Sequence, residues 1–223
     1  MTTEFDVIVG AHRTTASRYS ASTESPLARV VLAHGAGAGQ RHPFIVNVAR
    51  RLAESHIDVV TFDFPYMAQR RRVPDPPATL EDCFRQVIAM ARESRPRIDA
   101  LFAGGKSLGG RIATHLAAAG EPLKGVFALG YPLHPPGKPH QLRLAHLPAI
   151  EIPMLVVQGE RDPFGTPAEL APVLDTMQAP VTLDVVAGGD HSLGTRGVPP
   201  AHTYASVGAR VANWIRMILE SDR

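Results

Sequence analysis

Five short stretches combine glycines with polar side chains: His34 to Gly39, Asp63 to Pro74, Gly104 to Gly109, Gly159 to Gly165 and Gly188 to Leu193. Three of them carry a hydroxyl, a carboxylate and an imidazole, at Ser107, Asp162 and His191, in that chain order. Together these groups can perform nucleophilic acyl transfer. A serine hydroxyl is a weak nucleophile at neutral pH, so Ser107 needs a base; His191 could take its proton and return it to a leaving group. Asp162 could hold the imidazole in the required tautomer. Gly105-Lys106-Ser107-Leu108-Gly109 fits a G-x-S-x-G turn, in which flanking glycines let a strained serine project its hydroxyl above a sheet. A tetrahedral intermediate needs backbone N–H donors for its oxyanion. Leu108, at the start of the next helix, is one candidate. The second is expected from the glycine-rich loop, with Ala36 preferred and Gly35 or Gly37 as alternatives, because close backbone approach requires small residues. Gly35 and Gly37 are also candidate substrate contacts.

Each candidate has a plainer competitor. Ser107 could simply cap a helix. Asp162, before Pro163, could be a turn former, and Glu160 is its nearest rival as the acid. Asp190 adjoins His191 and cannot easily reach the far ring nitrogen, so it reads as a turn residue. His34 reads as a support for its own loop. Lys106 is unusual inside the turn and is read as structural. Arg70, Arg71 and Arg72 read as a solvated charge run rather than an anion site. Arg143 and His146 are taken as lid anchors or substrate contacts. His134, His140 and His146 match no metal-ligand spacing and have no accompanying cysteine, so no metal and no cofactor are expected. Cys83 falls on an apolar helical stripe with Leu80, Phe84, Val87 and Ile88, as a core residue would.

Composition narrows the class. The chain has 223 residues, 44% hydrophobic and 20% charged, which suits a soluble globular domain that can bury a sizeable core. A net charge of +2 and 6% aromatic residues, with no aromatics interleaved in a basic stripe, disfavour nucleic acid as a partner. A lone cysteine excludes internal disulfides. No apolar run is long enough to cross a bilayer, and the opening MTTEFDVIVGAHR lacks a basic segment leading into a long apolar one. A cytoplasmic protein with no membrane partner and a small-molecule substrate is the expectation; nothing in the sequence sets an oligomeric state.

The elements that must position these groups follow from periodicity. Phe5 to Val9 and Thr14 to Ser22 suggest an antiparallel hairpin at a sheet edge. Ala28 to Ala33, Ile57 to Phe62, Asp99 to Ala103, Gly125 to Leu129, Pro153 to Val157 and Val181 to Val186 read as buried strands. Helical patterns separate most of them: Pro43 to about Ser55, a helix capped by Thr79 and Asp82, one from Ser107 to Gly120, and one started by Thr166, Pro167 and Glu169. A closing helix carries Tyr204, Val207, Val211, Ile215 and Ile218, with Trp214 packing against the core. Between Leu133 and Pro148 a proline-rich, basic stretch breaks the alternation and reads as a short lid-like excursion. The expectation is one α/β domain over residues 1–223, with a mostly parallel sheet covered by helices on both faces and a minimal lid. In such sheets ligands bind beyond the carboxyl ends of the strands, where the five polar stretches fall.

With these residues in hand, the chain resembles the α/β-hydrolase superfamily over nearly its whole length: an HGAG loop, a nucleophile turn, an acid in GERDPFG and a histidine in GGDH. The wording HGAGAG, GGKSLGGR, GYPLHPPGKP and QGERDPFG further resembles its small dienelactone-hydrolase-like branch, the KANL/Tex-type hydrolases. The resemblance implies an α/β-hydrolase fold and a serine hydrolase working through an acyl-enzyme. A small soluble carboxylic ester or thioester is the expected substrate, since the excursion lacks the long apolar surface suited to a lipid interface. The alternative is a hydrolase-like interaction module with weak or no catalytic activity. A dinucleotide-binding domain is a third reading, but Gln40 replaces the last glycine that its fingerprint needs after Gly35 and Gly37.

Overall fold

Apolar, β-branched runs long enough for one sheet crossing fold here as the interior of a single eight-stranded sheet. The computed structural model describes residues 2–10, 12–94 and 96–221. In chain order the elements are β1 (Thr2–Val9), β2 (His12–Tyr19), β3 (Ala28–Ala33), α1 (Pro43–Glu54), β4 (Ile57–Phe62), α2 (Pro65–Ala68) and α3 (Pro77–Glu93). There follow β5 (Leu101–Lys106), α4 (Leu108–Ala118), β6 (Gly125–Leu129), β7 (Met154–Gly159), α5 (Pro167–Leu174), β8 (Val181–Val186) and α6 (Pro200–Ser221). The strand order is β1-β2-β4-β3-β5-β6-β7-β8. Pairing is antiparallel for β1 with β2 and β2 with β4, and parallel from β4 to β8.

Residues of β3, β4 and β7 are buried throughout, as expected for strands covered on both faces. Alternation divides them into two cores. Val31, Ala33, Val60, Ala103 and Val156 pack with Phe84, Val87 and Ile112 from α3 and α4. Val30, Leu32, Val59, Phe102 and Val157 pack on the opposite face with Val48 and Leu52 of α1 and Val211 and Trp214 of α6. Both α3 and α4 contribute to the first core, whereas α1 and α6 contribute to the second. Cys83 lies in the first core, where burial pushes its thiol up to about 12, the behaviour of an inert packing residue.

Several sequence-based boundaries change. The second strand of the hairpin ends at Tyr19 rather than Ser22, because β2 pairs with β4 only as far as Tyr19 opposite Val59. The predicted Asp99–Ala103 strand instead runs from Leu101 to Lys106, straight through Gly104 and Gly105. Parallel partners on both sides, Gly105 to Ala33 and to Ala128, hold the glycines extended despite their low strand preference. Thr79 and Asp82 do not form a capping box: α3 starts at Pro77, its N-cap is Pro76, and no side chain caps it. Proline at the first position takes over the starting role, since its missing N–H needs no partner there. The Thr166 and Glu169 capping box does form.

Candidate active site

The turn between β5 and α4 is built by close packing. A Cβ at Gly105 would stand 2.5 Å from the Ala33 carbonyl oxygen, and one at Gly109 would stand 2.6 Å from that of His34. Only glycine lets strand and helix approach so closely. Ser107, between them, adopts φ 49° and ψ −110°, a left-handed backbone that costs a non-glycine residue free energy and is characteristic of strained turns at working sites. It occupies the N-cap position of α4, yet its hydroxyl caps nothing. The helix-cap reading of Ser107 is thereby overturned: the strained backbone turns the side chain away from the helix amides it would need to reach.

The hydroxyl meets an imidazole instead. Ser107 Oγ lies 2.9 Å from His191 Nε2, and His191 Nδ1 lies 2.7 Å from Asp162 Oδ2. The carboxylate is fully buried and has further donors: the Phe164 amide at 2.8 Å to Oδ1 and the Gln158 side-chain amide at 2.9 Å to Oδ2. These bonds fix its direction. With Asp162 accepting at Nδ1–H, Nε2 is left as the acceptor facing Ser107. Phe164 stacks on the His191 ring at a centroid distance of 4.1 Å and fixes its plane. The rival acid Glu160 is used elsewhere, accepting from the Gly188 amide at 2.6 Å. Asp190 accepts from the amides of Ser192 and Gly194, as a turn residue does.

The HGAGAG loop is tied down from behind. Buried His34 accepts from the Phe64 amide at Nε2, which leaves Nδ1–H to donate to the Gly35 carbonyl at 2.7 Å. Burial holds this imidazole below its ordinary pKa, so it stays neutral. The Tyr66 hydroxyl donates to the Ala36 carbonyl at 3.0 Å. A trans peptide directs its N–H opposite its C=O, so the Ala36 N–H points away from the buried His34 ring. Lys106 is enclosed beside this loop; burial outweighs attraction from Asp162 and Asp190 and lowers its ammonium pKa to about 8.

Two cavities meet at Ser107. One, of about 370 Å³, is lined by Gly35, Ala36, Gly37 and Lys106, with apolar walls from Phe44, Ile45, Phe164 and Tyr204. The other, of about 300 Å³, lies between Ala36, Leu108, Pro132 and Phe164 and carries Arg111 and Arg143. The structure does not bring His146 to either cavity. Its Nε2 is 2.9 Å from Thr114 Oγ1 and its ring is 4.0 Å from that of His115, so it is taken up by α4 packing. Arg71 pairs with Asp75, the behaviour of a structural loop charge. Sequence reasoning missed Gln158, Phe164 and Arg111. For Arg111 a signal existed: it lies four residues after Ser107, one turn along the same helix face.

This hydroxyl, imidazole and carboxylate network is that of a serine hydrolase acting through an acyl-enzyme. The fold is shared with solved structures at low sequence identity. A dienelactone hydrolase from Anabaena variabilis superposes with a TM-score of 0.78 at 18% identity, over 97% of each chain. The esterase domain of a Rhodothermus marinus protein gives 0.74 at 16% identity, over 97% of this chain and 98% of that one. A serine hydrolase without a lid from Xanthomonas campestris gives 0.72 at 17%, over 99% of this chain and 94% of the other. Residues 26–218 match the family model described as the alpha/beta hydrolase domain, and the chain belongs to that family.

Proposed function

We propose that the chain hydrolyses a small carboxylic ester or thioester, with Ser107 as nucleophile, His191 as general base and then acid, and Asp162 as the group that orients the imidazole. Ser107 Oγ adds to the acyl carbon while its proton passes to His191 Nε2. The tetrahedral oxyanion accepts from the N–H groups of Leu108, at the positive end of α4, and Ala36. Collapse breaks the bond to the alcohol or thiol, which takes the proton from His191, and leaves the acyl group on Ser107. Water then adds with His191 again as base, and the acid leaves as Ser107 is regenerated.

One observation carries this reading: the strained Ser107 hydroxyl caps no helix and stands 2.9 Å from the Nε2 of an imidazole already held by a buried carboxylate. Cavity size supports a small substrate, since spaces of about 370 and 300 Å³ lie at the lower end of ligand sites. Gly35 and Gly37 act as substrate contacts in the larger space and Arg143 in the smaller. We read the chain as one catalytic domain, with residues 133–148 as a short lid-like excursion, and place it in the KANL/Tex-type branch on the wording of its loops.

A fluorophosphonate probe tests the assignment. Mass spectrometry should find the adduct on Ser107, and labelling should vanish in His191→Ala. No labelling of folded protein would overturn the assignment. Turnover of p-nitrophenyl esters should fall as the acyl chain lengthens beyond about eight carbons, and a rise with chain length would refute the small substrate.

A further inference from the structure

The smaller cavity holds a pair of charges to which the acyl-transfer steps give no role. Arg111 and Arg143 line it together with Ser107 itself. Arg111 projects from α4 one turn after the nucleophile, and its amide donates to the Ser107 carbonyl at 3.0 Å. Arg143 comes from the 133–148 excursion, where its backbone is held on both sides: its amide donates to Leu133 at 2.8 Å, and its carbonyl accepts from the Tyr131 hydroxyl at 2.6 Å. Two unrelated parts of the chain are thus made to present guanidinium groups to one space.

Among the described residues, no carboxylate forms an ion pair with Arg111 or Arg143, and the buried Arg111 Nε has no hydrogen-bond partner. A buried N–H left unpaired in a cationic group is costly and suggests a missing acceptor. The acids nearby are already engaged. Asp75, which lines the same cavity, accepts from the Tyr66 amide at 2.9 Å and pairs with Arg71. Glu81 contacts His115 at 2.9 Å and Arg85 at 3.7 Å. Burial first and then the positive charge of Arg143 outweigh the attraction of Tyr131 and Glu81 and lower the Arg111 pKa, a conflict that a bound anion would relieve.

We propose that Arg111 and Arg143 form an anion-binding subsite beside Ser107, so that the ester or thioester hydrolysed carries a carboxylate or phosphate group. The proposal rests on the acyl-transfer reading for its placement next to the reacting carbon. Planar guanidinium forks suit either oxoanion, donating to its oxygens charge-assisted bonds that fix orientation. The apolar space across Ser107 then takes the uncharged end of the substrate.

Binding and turnover test it separately. In the first arm, glutarate and inorganic phosphate are titrated calorimetrically into Ser107→Ala protein, which cannot react. Binding of either that weakens about tenfold or more in Arg111→Gln or Arg143→Gln supports the subsite and tells which anion it takes. Failure of both to bind at millimolar concentration overturns it. The second arm compares kcat/KM for p-nitrophenyl butyrate and the p-nitrophenyl monoester of glutarate. The native protein should prefer the anionic ester, and the preference should fall roughly tenfold in each arginine variant but not in Arg92→Gln, a change on α3. An equal preference for both esters, or one that survives both arginine substitutions, sinks the proposal. Arg143→Gln, in a loop, keeps the test usable if Arg111→Gln fails to fold. Anion binding without fluorophosphonate labelling would refute the hydrolase reading while leaving the subsite standing.

Discussion

At the N-cap of α4 and again within it, a hydroxyl stands 2.9 Å from the Nε2 of a histidine: Ser107 with His191, and Thr114 with His146. They differ in three respects, and together these separate a nucleophile from a packing contact. Thr114 sits inside the helix, and its hydroxyl donates to the Arg111 carbonyl at 2.7 Å, so its one proton is committed and His146 must be the donor. Among the described residues Ser107 donates to no backbone carbonyl, and it faces an imidazole that accepts. Behind His191 stands the buried carboxylate of Asp162; behind His146 stands another imidazole, His115, at 4.0 Å. Burial and then His115 lower the His146 pKa to about 4, which favours a neutral ring that is a poor base. Finally, two cavities open onto Ser107, and Thr114 lines neither. Proximity of hydroxyl and imidazole is therefore a weak mark of activity without an orienting acid, a free proton and access.

The sharpest way to break this contrast is to remove each hydroxyl. Ser107→Ala should lower ester kcat/KM by about 10⁴-fold or more, whereas Thr114→Val should cost no more than a few-fold, as read by initial rates. Comparable losses would show that the two pairs are not different in kind. Asp162→Asn comes next, with an expected loss of about 10³- to 10⁴-fold in kcat, because the amide favours the wrong imidazole tautomer. Lys106 tests the electrostatics of the working pair. Its folded pKa, near 8, lies below its unfolded value near 10.5, so the charged form is penalised in the fold below pH 8. Stability is therefore regained as pH rises from 8 towards 10.5. Lys106→Met should be more stable than the native protein at pH 7 and should lose that advantage by about pH 10.5 in urea denaturation. The smallest effect is expected at the other pair. His146 takes its proton near pH 4 when folded but near 6.5 when unfolded, so stability is lost as pH falls between those values. His146→Gln should flatten that part of the profile, and an unchanged slope would remove His146 from the account of acid sensitivity.

Much of this was legible before folding, for identifiable reasons. Strands covered on both faces carry continuous apolar runs, which is why β3 and β4 were found with their bounds intact. The Thr166 capping box is a local exchange between residues three apart, so it needs no distant partner. The weaker Thr79 and Asp82 pattern loses to Pro77, which begins the helix ahead of Thr79, with Pro76 as its N-cap. Strand β5 runs past the Ala103 end that periodicity predicts, because glycine has little strand preference of its own and the pairing of Gly104 and Gly105 with β3 and β6 is non-local. For His146 the sequence offers lid anchor or substrate contact, and no local pattern chooses between them, because its partner, Thr114, lies 32 positions away in sequence.

By itself the sequence determined the alternation of elements, the glycines that only a tight turn tolerates, and the order of serine, acid and base at successive strand ends. Those are properties of neighbouring residues and of short-range periodicity. Tertiary structure decided which of several acids and histidines meet: Asp162 over Glu160 for His191, Thr114 for His146, and an uncompensated arginine pair beside Ser107. Such choices depend on direction and distance between side chains far apart in the chain, and these exist only once the parallel strands set their ends side by side.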